Sequence, residues 1–301
     1  MVHSRLWEKW RPRLLEARGR RPQAAFDPKM VTAWNGLAIG ALATGYRVSG
    51  EARFRDAAGE AAEAVWRLNG LPPGNLARAS NEGRAGEAGV LDDHAFLASG
   101  LVDLFEATGE ALHLQRALAL ADVAMERFSI PSGGWFSTGG SEQEPLGRRI
   151  EIRDGVEPSG AAAMILLLER LAALTGRDDL RDAGRRALRR YAGTLRRNGL
   201  DMAGWLDAAL LEGGPFYELV IAGAERSLPE AWSRLLPSWV VGARVPANGP
   251  ADVLARLMPP ASGKHDRNGV PLAYVCVRGS CKAPTSDPVA LRGQLLEGWA
   301  H

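Results

Sequence analysis

The sequence predicts a mainly helical protein, an arc of helical hairpins of the (α/α) toroid or α-solenoid kind, closed off by a small α/β tail. A unit of roughly 60 residues recurs along the chain, each copy pairing a small-residue apolar helix with a charged amphipathic one. Each pair turns on a Ser/Thr-Gly step: Val48-Ser49-Gly50, Ala107-Thr108-Gly109 and Leu174-Thr175-Gly176. Beyond Asn198 the pattern changes to short apolar runs of strand type separated by short helices.

The first helix of each pair covers 34–48, 93–107 and 159–174. These segments are apolar or small nearly all round, as a helix buried on every side must be. The second helices, 51–68, 111–128 and 178–197, carry one apolar stripe and one charged face, which places them outside. The turn glycines supply the left-handed residue that ends a helix. One inner and one outer helix per repeat is the plan of a toroid. The connections 69–91 and 129–158 are long and rich in Gly, Pro, Ser and Asn, and loops of that length carry function. Within the second, Gly133-Gly134-Trp135-Phe136-Ser137-Thr138 reads as a short hairpin strand laid over one end of the helices. The tail reads as helix 202–211, strand 216–223, helix 229–236, strand 239–245, helix 253–257, strand 272–277 and helix 288–299, an alternation that predicts a mainly parallel sheet. The expected division is a toroid part at 1–198 and an α/β appendage at 199–301.

Composition narrows the class. With 301 residues, 46% apolar and 24% charged, the chain is globular and large enough for a substantial core. It has no apolar run of the roughly 18 residues that a spanning helix needs. The first residues lack the apolar stretch of a secretory signal, so the expected compartment is the cytoplasm and no membrane partner is expected. A net charge of +2 carries no nucleic-acid footprint. Arg177, Arg181, Arg185 and Arg189, interleaved with Asp178, Asp179 and Asp182, read as a solvated outer face. Cys276 and Cys281 are not spaced as C-x-x-C, and two thiols cannot build a zinc site; both are expected free. Neither a cofactor nor a metal is expected.

Four ordered motifs carry a resemblance. Asp27-Pro28-Lys29 through Trp34-Asn35-Gly36-Leu37 is similar to a D-x-K-x-x-x-x-W-N-G-L element, and Leu91-Asp92-Asp93-His94-Ala95-Phe96-Leu97 to an L-x-D-Y-A-F-L element. Gly134-Trp135-Phe136, Arg149, Asp154-Gly155 and Pro158-Ser159-Gly160 resemble a G-G-F-F…R…D-G-A-x-P-S-G-N-S run. Tyr274-Val275-Cys276, Cys281 and Pro284 resemble a Y-V-C…C-x-x-P signature. The chain thus resembles the C-terminal half of the thioredoxin-like plus six-hairpin-toroid family, the spermatogenesis-associated thioredoxin-like proteins. The toroid of that family is similar to N-acylglucosamine 2-epimerases and cellobiose epimerases. The resemblance implies a six-hairpin glycosidase type of toroid, here about three hairpins, and a carbohydrate-processing or carbohydrate-binding function, epimerase-like or glycosidase-like. It also implies a thioredoxin-like domain and a first toroid half as partners absent from this chain. The alternative is a non-catalytic sugar- or partner-binding module. Two departures stand out: the family Tyr is His94 here, and the Asn of P-S-G-N-S is Ala161.

The expected site lies at the N-terminal ends of the inner helices, where unpaired N–H groups and the helix dipole suit hydroxyls and oxyanions. Trp34 and Asn35 start the first inner helix, Asp92, Asp93 and His94 the second, and Ser159 the third. His94 and Asp93 are the candidate catalytic pair, an imidazole titrating near neutrality beside a carboxylate. Trp34 is the candidate stacking platform, with Asn35, Asp92, Trp135, Phe136, Arg149, Asp154 and Ser159 as candidate binding residues. Structural alternatives stand beside these roles: Asp92 and Ser159 as N-caps, Asp93 helping to cap, His94 as a wall residue, Trp34 as core. Asp154 and Glu157, with Glu151, form a carboxylate group able to serve a glycosidic bond, unless Arg149 and Arg153 neutralise it. Three inner helices this apolar also predict an exposed flank, and hence self-association or a missing partner.

Overall fold

The computed structural model describes residues 2–71, 75–140, 147–223, 239–246 and 252–298. Helix α1, Val2–Gly19, precedes three hairpins: α2 (Thr32–Ser49) with α3 (Ala52–Asn69), α4 (Leu91–Thr108) with α5 (Ala111–Phe128), and α6 (Gly160–Thr175) with α7 (Asp178–Asn198). The turn glycines end the inner helices as their sequence required. Gly50, Gly109 and Gly176 have φ of 72°, 78° and 73°, and donate to the carbonyls of Tyr46, Phe105 and Ala172.

The inner helices stand side by side with α4 between α2 and α6, the plan of an (α/α) toroid. Helices α4 and α6 are buried nearly all round, whereas α2 is buried only toward α3 and α4 and exposes Trp34, Leu37 and Val48. The α2–α4 contact is backbone against backbone. A Cβ on Gly100 would lie 2.2 Å from the Gly36 carbonyl oxygen, and a Cβ on Gly36 would lie 2.5 Å from the Leu97 nitrogen. At the opposite end Glu106 binds the assembly together: Arg47 (3.1 Å), Arg170 (2.8 Å) and the Gly242 N–H (2.8 Å) all donate to its carboxylate.

The arginine stripe of α7 differs from its expected solvated face. Arg181 is buried and donates to Glu169 of α6 (3.0 Å) and to Asp178 (2.7 Å), while Arg177 reaches Asp122 of α5 (2.7 Å). Helix α7 rotates this edge toward its neighbours, where long side chains lay their stems on apolar surface and pair their heads across helices.

The tail follows a 3-10 turn, Gly199–Met202, and comprises α8 (Ala203–Gly213), β6 (Tyr217–Ala222), β7 (Val240–Val245), α9 (Asp252–Leu257), β8 (Leu272–Val277), β9 (Ser280–Cys281) and α10 (Pro288–Leu296); β1 to β5 belong to the site described below. The helix expected at 229–236 lies outside the described residues. The sheet order is β7-β6-β8-β9, and only β6 with β7 is parallel, which corrects the expected mainly parallel sheet. Strand β8 enters beside the carboxyl end of β6, Leu272 opposite Ala222, so it must run back along it. Val220 and Ala222 of β6 join the helical core, while Tyr217, Leu219 and Ile221 pack on Leu291 and Leu295 of α10.

The cysteines are not free thiols. Cys276 and Cys281 face each other across the β8–β9 hairpin, Cα atoms 3.9 Å apart, and form a disulfide. Their spacing conceals this because hairpin register, set by the tight turn at Arg278 and Gly279, decides which residues oppose.

Candidate functional site

The connection 69–91, read as loop from sequence, folds into small strands: β2 (Gly70–Leu71), β3 (Asn75–Leu76), β4 (Ala79–Asn81) and β5 (Arg84–Ala85). Strand β4 pairs antiparallel with β5 and with β1 (Met30–Val31), which leads directly into α2. This flap stands over the N-terminal ends of α2 and α4. Thr32 fastens it, donating from its hydroxyl to the Ala77 carbonyl (2.6 Å) and from its N–H to the Arg78 carbonyl (2.9 Å).

Between the flap and the helix ends lies a cavity of about 420 Å³. Trp34 of α2, Asp92 and Asp93 of α4, and Glu157 from the strap before α6 line it on the helix side. Lys29, Arg78, Ser80, Asn81, Arg84 and Glu87 line it from the flap side. The Trp34 indole is 62% exposed.

The two adjacent aspartates differ in function. Asp93 occupies the third position of α4 and is spent on backbone: one oxygen accepts the Val90 N–H (2.9 Å), the other the Ala33 N–H of α2 (3.1 Å). It thereby caps α4 and pins two inner helices together. Burial pushes its carboxyl up to about 6, against the pull of those N–H groups and Arg78. Asp92 is not the N-cap, a position Val90 fills. Its carboxyl is raised first by burial and then by the Glu157 carboxylate, while Arg78 and the Gly160 N–H oppose the shift.

The remaining expected residues sit elsewhere. His94 is fully buried, its Nδ1 bonded to the Val90 carbonyl (2.9 Å) and its ring edge-on to Phe128, with ring centroids 5.2 Å apart. Burial pushes its pKa down to about 4, and its ring does not line the cavity. Asn35 turns back to the Val31 carbonyl (2.8 Å). Ser159 is the N-cap of α6, accepting from the Ala162 N–H (3.2 Å) and from the Trp205 indole (3.2 Å). Asp154 accepts from the Ser159 N–H (2.9 Å) and the Gly204 N–H (2.8 Å), tying the strap to α8.

Trp135 is core, joined to Ser129 by an isolated bridge rather than standing in a strand. Phe136 lies under the Arg148 guanidinium at 4.0 Å, and Arg149 is exposed with Glu151 at 3.2 Å. The Ser137 carbonyl accepts the Leu91 N–H (3.0 Å), which brings this loop to the start of α4. None of Trp135, Phe136 and Arg149 lines the cavity.

No protein-family model matches the chain. Spermatogenesis-associated protein 20 of Homo sapiens is 30% identical across 93% of this chain, and its counterpart in Rattus norvegicus is 30% identical over the same share. The chain is thus a homologue of part of spermatogenesis-associated protein 20. It spans 38% of the human relative and 37% of the rat one. The solved structure of cellobiose 2-epimerase from Bacillus thermoamylovorans B4167 aligns with a TM-score of 0.46 and 13% identity, over 55% of this chain and 44% of that one.

Within the family pattern, the Tyr-to-His difference at His94 falls on a buried ring rather than on the cavity wall. Most of the lining residues that sequence reading missed, among them Arg78, Ser80, Asn81, Arg84 and Glu87, come from the flap. Asn81-Glu82-Gly83-Arg84 is the one signal that exposes them, a two-residue turn between short strands. Among the described residues no helix is long and apolar enough to cross a membrane, and no three His, Cys, Asp or Glu side chains gather as a metal site.

Proposed function

We propose that the cavity beneath the flap is a saccharide site and that this part of the family is a carbohydrate-processing domain. The exposed Trp34 indole carries the reading. It offers a flat apolar face on a cavity whose lining also carries charged and amide side chains, and an aromatic face packs against the C–H face of a pyranose. Sugar hydroxyls both donate and accept. The lining supplies acceptors in Asp92, Glu87 and Glu157 and donors in Arg78, Arg84 and Asn81. The reaction class within this reading is epimerase-like or glycosidase-like. A binding-only module is the second reading, favoured by the burial of His94 and by the two N–H bonds that occupy Asp93.

The test is thermal melting of the 301-residue chain against common mono- and disaccharides, with Trp34→Ala in parallel. A ligand held at ten times its Kd adds about 1.4 kcal/mol and raises Tm by about 2–4 °C per kcal/mol in the wild type. Trp34→Ala should abolish the shift while melting normally, because its indole is exposed. Absence of a shift with every sugar rules out the saccharide reading.

A further inference from the structure

We propose that Asp92 and Glu157 are the acid and the base of this cavity, acting on the glycosidic bond of a bound saccharide; the inference rests on the saccharide reading above. They reach the cavity from different elements, Asp92 from the start of α4 and Glu157 from the strap before α6. Competing groups are engaged elsewhere: Asp93 accepts two backbone N–H groups, Lys29 pairs with Asp27 at 3.2 Å, and His94 is buried outside the cavity. Neither Asp92 nor Glu157 has a cation within ion-pair distance among the described residues, and Asp92, which the Gly160 N–H also approaches, still lines the cavity together with Glu157.

Their environments suit opposite roles. Asp92 sits against the α6 backbone so closely that a Cβ on Gly160 would lie 2.0 Å from its Oδ1. Glu157 stands in the more open strap. The charged groups around Asp92 are Arg78 from the flap, Asp93 on its own helix, and Glu151 and Glu157 from the strap. Burial first, then the Glu157 and Glu151 carboxylates, favour the acid form of Asp92 against the pull of Arg78 and the Gly160 N–H.

In the step, Asp92 in its acid form gives its proton to the bridging oxygen as the bond from that oxygen to the anomeric carbon breaks. Glu157 takes a proton from a water whose oxygen bonds to the same carbon. One water is consumed, two hydroxyl-bearing sugars result, and solvent returns the proton from Glu157 to Asp92.

The experiment presents the chain with a panel of 4-nitrophenyl and alkyl α- and β-glycosides, alongside Asp92→Asn, Glu157→Gln and, as a control outside the cavity, Glu60→Gln on the exposed face of α3. Cleavage of at least one glycoside is expected, with Glu157→Gln losing about 100-fold or more on every cleaved substrate. Asp92→Asn should lose that much on alkyl glycosides but far less on 4-nitrophenyl ones, whose leaving group needs no proton. It should also erase the alkaline limb of the pH profile. Sugar-induced thermal shifts should survive in both variants. Sugar binding without cleavage of any glycoside, or cleavage unaffected by both substitutions, overturns the acid–base pair and leaves the saccharide site standing. A wild type that binds no sugar overturns the saccharide reading itself.

Discussion

Asp93 and His94 adjoin in sequence and respond to protons in opposite senses. The Asp93 carboxyl is pushed up to about 6 from 3.8, so the folded state holds its proton more tightly than the unfolded chain. Its contribution is full below the unfolded value and is lost as pH rises through 6. His94 is pushed down to about 4 from 6.5, so the folded state keeps it neutral. That contribution is full above 6.5 and is lost as pH falls through 4. Across this window the two largely offset each other, each with a ceiling of about 3 kcal/mol. His94→Tyr restores the family residue and removes only the histidine contribution. The stability difference between variant and wild type should therefore move in favour of the variant by about 1–3 kcal/mol between pH 7 and pH 4.5, read from urea unfolding. A difference that stays constant with pH would show that His94 is not protonated on unfolding. The sequence leaves Asp93 between capping and catalysis and His94 between wall and catalysis, because an N-terminal carboxylate and a nearby imidazole have the same composition whether they cap, pack or catalyse.

Among the elements, the α2–α4 pair depends on glycine in a way that helix propensity alone does not reveal. Gly100 touches the Gly36 carbonyl, whereas a methyl at Gly59 in α3 would meet nothing within 4 Å. Ala at Gly59 should stabilise by about 0.5–1 kcal/mol, the ordinary helical gain over Gly. Ala at Gly100 must push two helix backbones apart and should cost about 1–3 kcal/mol or more, with loss of the Asp93 bond to the Ala33 N–H. Denaturant midpoints of the two variants distinguish the cases, and equal effects at both positions would contradict the packing. The flap is the element that sequence handled least well. Its strands are two or three residues long, below the length at which alternation can be recognised, and β1 lies far from β4 in the chain.

For the whole molecule, the arc leaves apolar surface uncovered at its α2 end. Leu37 and Val48 face outward on α2, and Leu6, Trp7, Trp10 and Leu14 are exposed along α1. Surface of this kind drives association. The 301-residue chain should sediment as a concentration-dependent mixture of monomer and larger species, and Leu37→Glu with Val48→Glu should shift it to monomer. A wild type that stays monomeric at high concentration would contradict this.

Residue order determined the inner and outer helices, their glycine turns and three of the four tail strands described, because each depends on periodicity or on a conformation that few residues adopt. It also placed Trp34, Asp92 and Asp93 at one end of the inner helices, since equivalent positions of a repeat lie at equivalent heights. The tertiary structure alone decided which of those polar groups face a cavity and which are consumed by backbone N–H groups. It also decided that Glu157 rather than Asp154 joins Asp92, that Arg181 of the α7 stripe turns inward, and that the two cysteines meet. The physical reason is common to these cases. Side-chain partners are chosen by the separation of elements far apart in the chain, by strand register and by burial, and none of these leaves a periodic trace in the residues themselves.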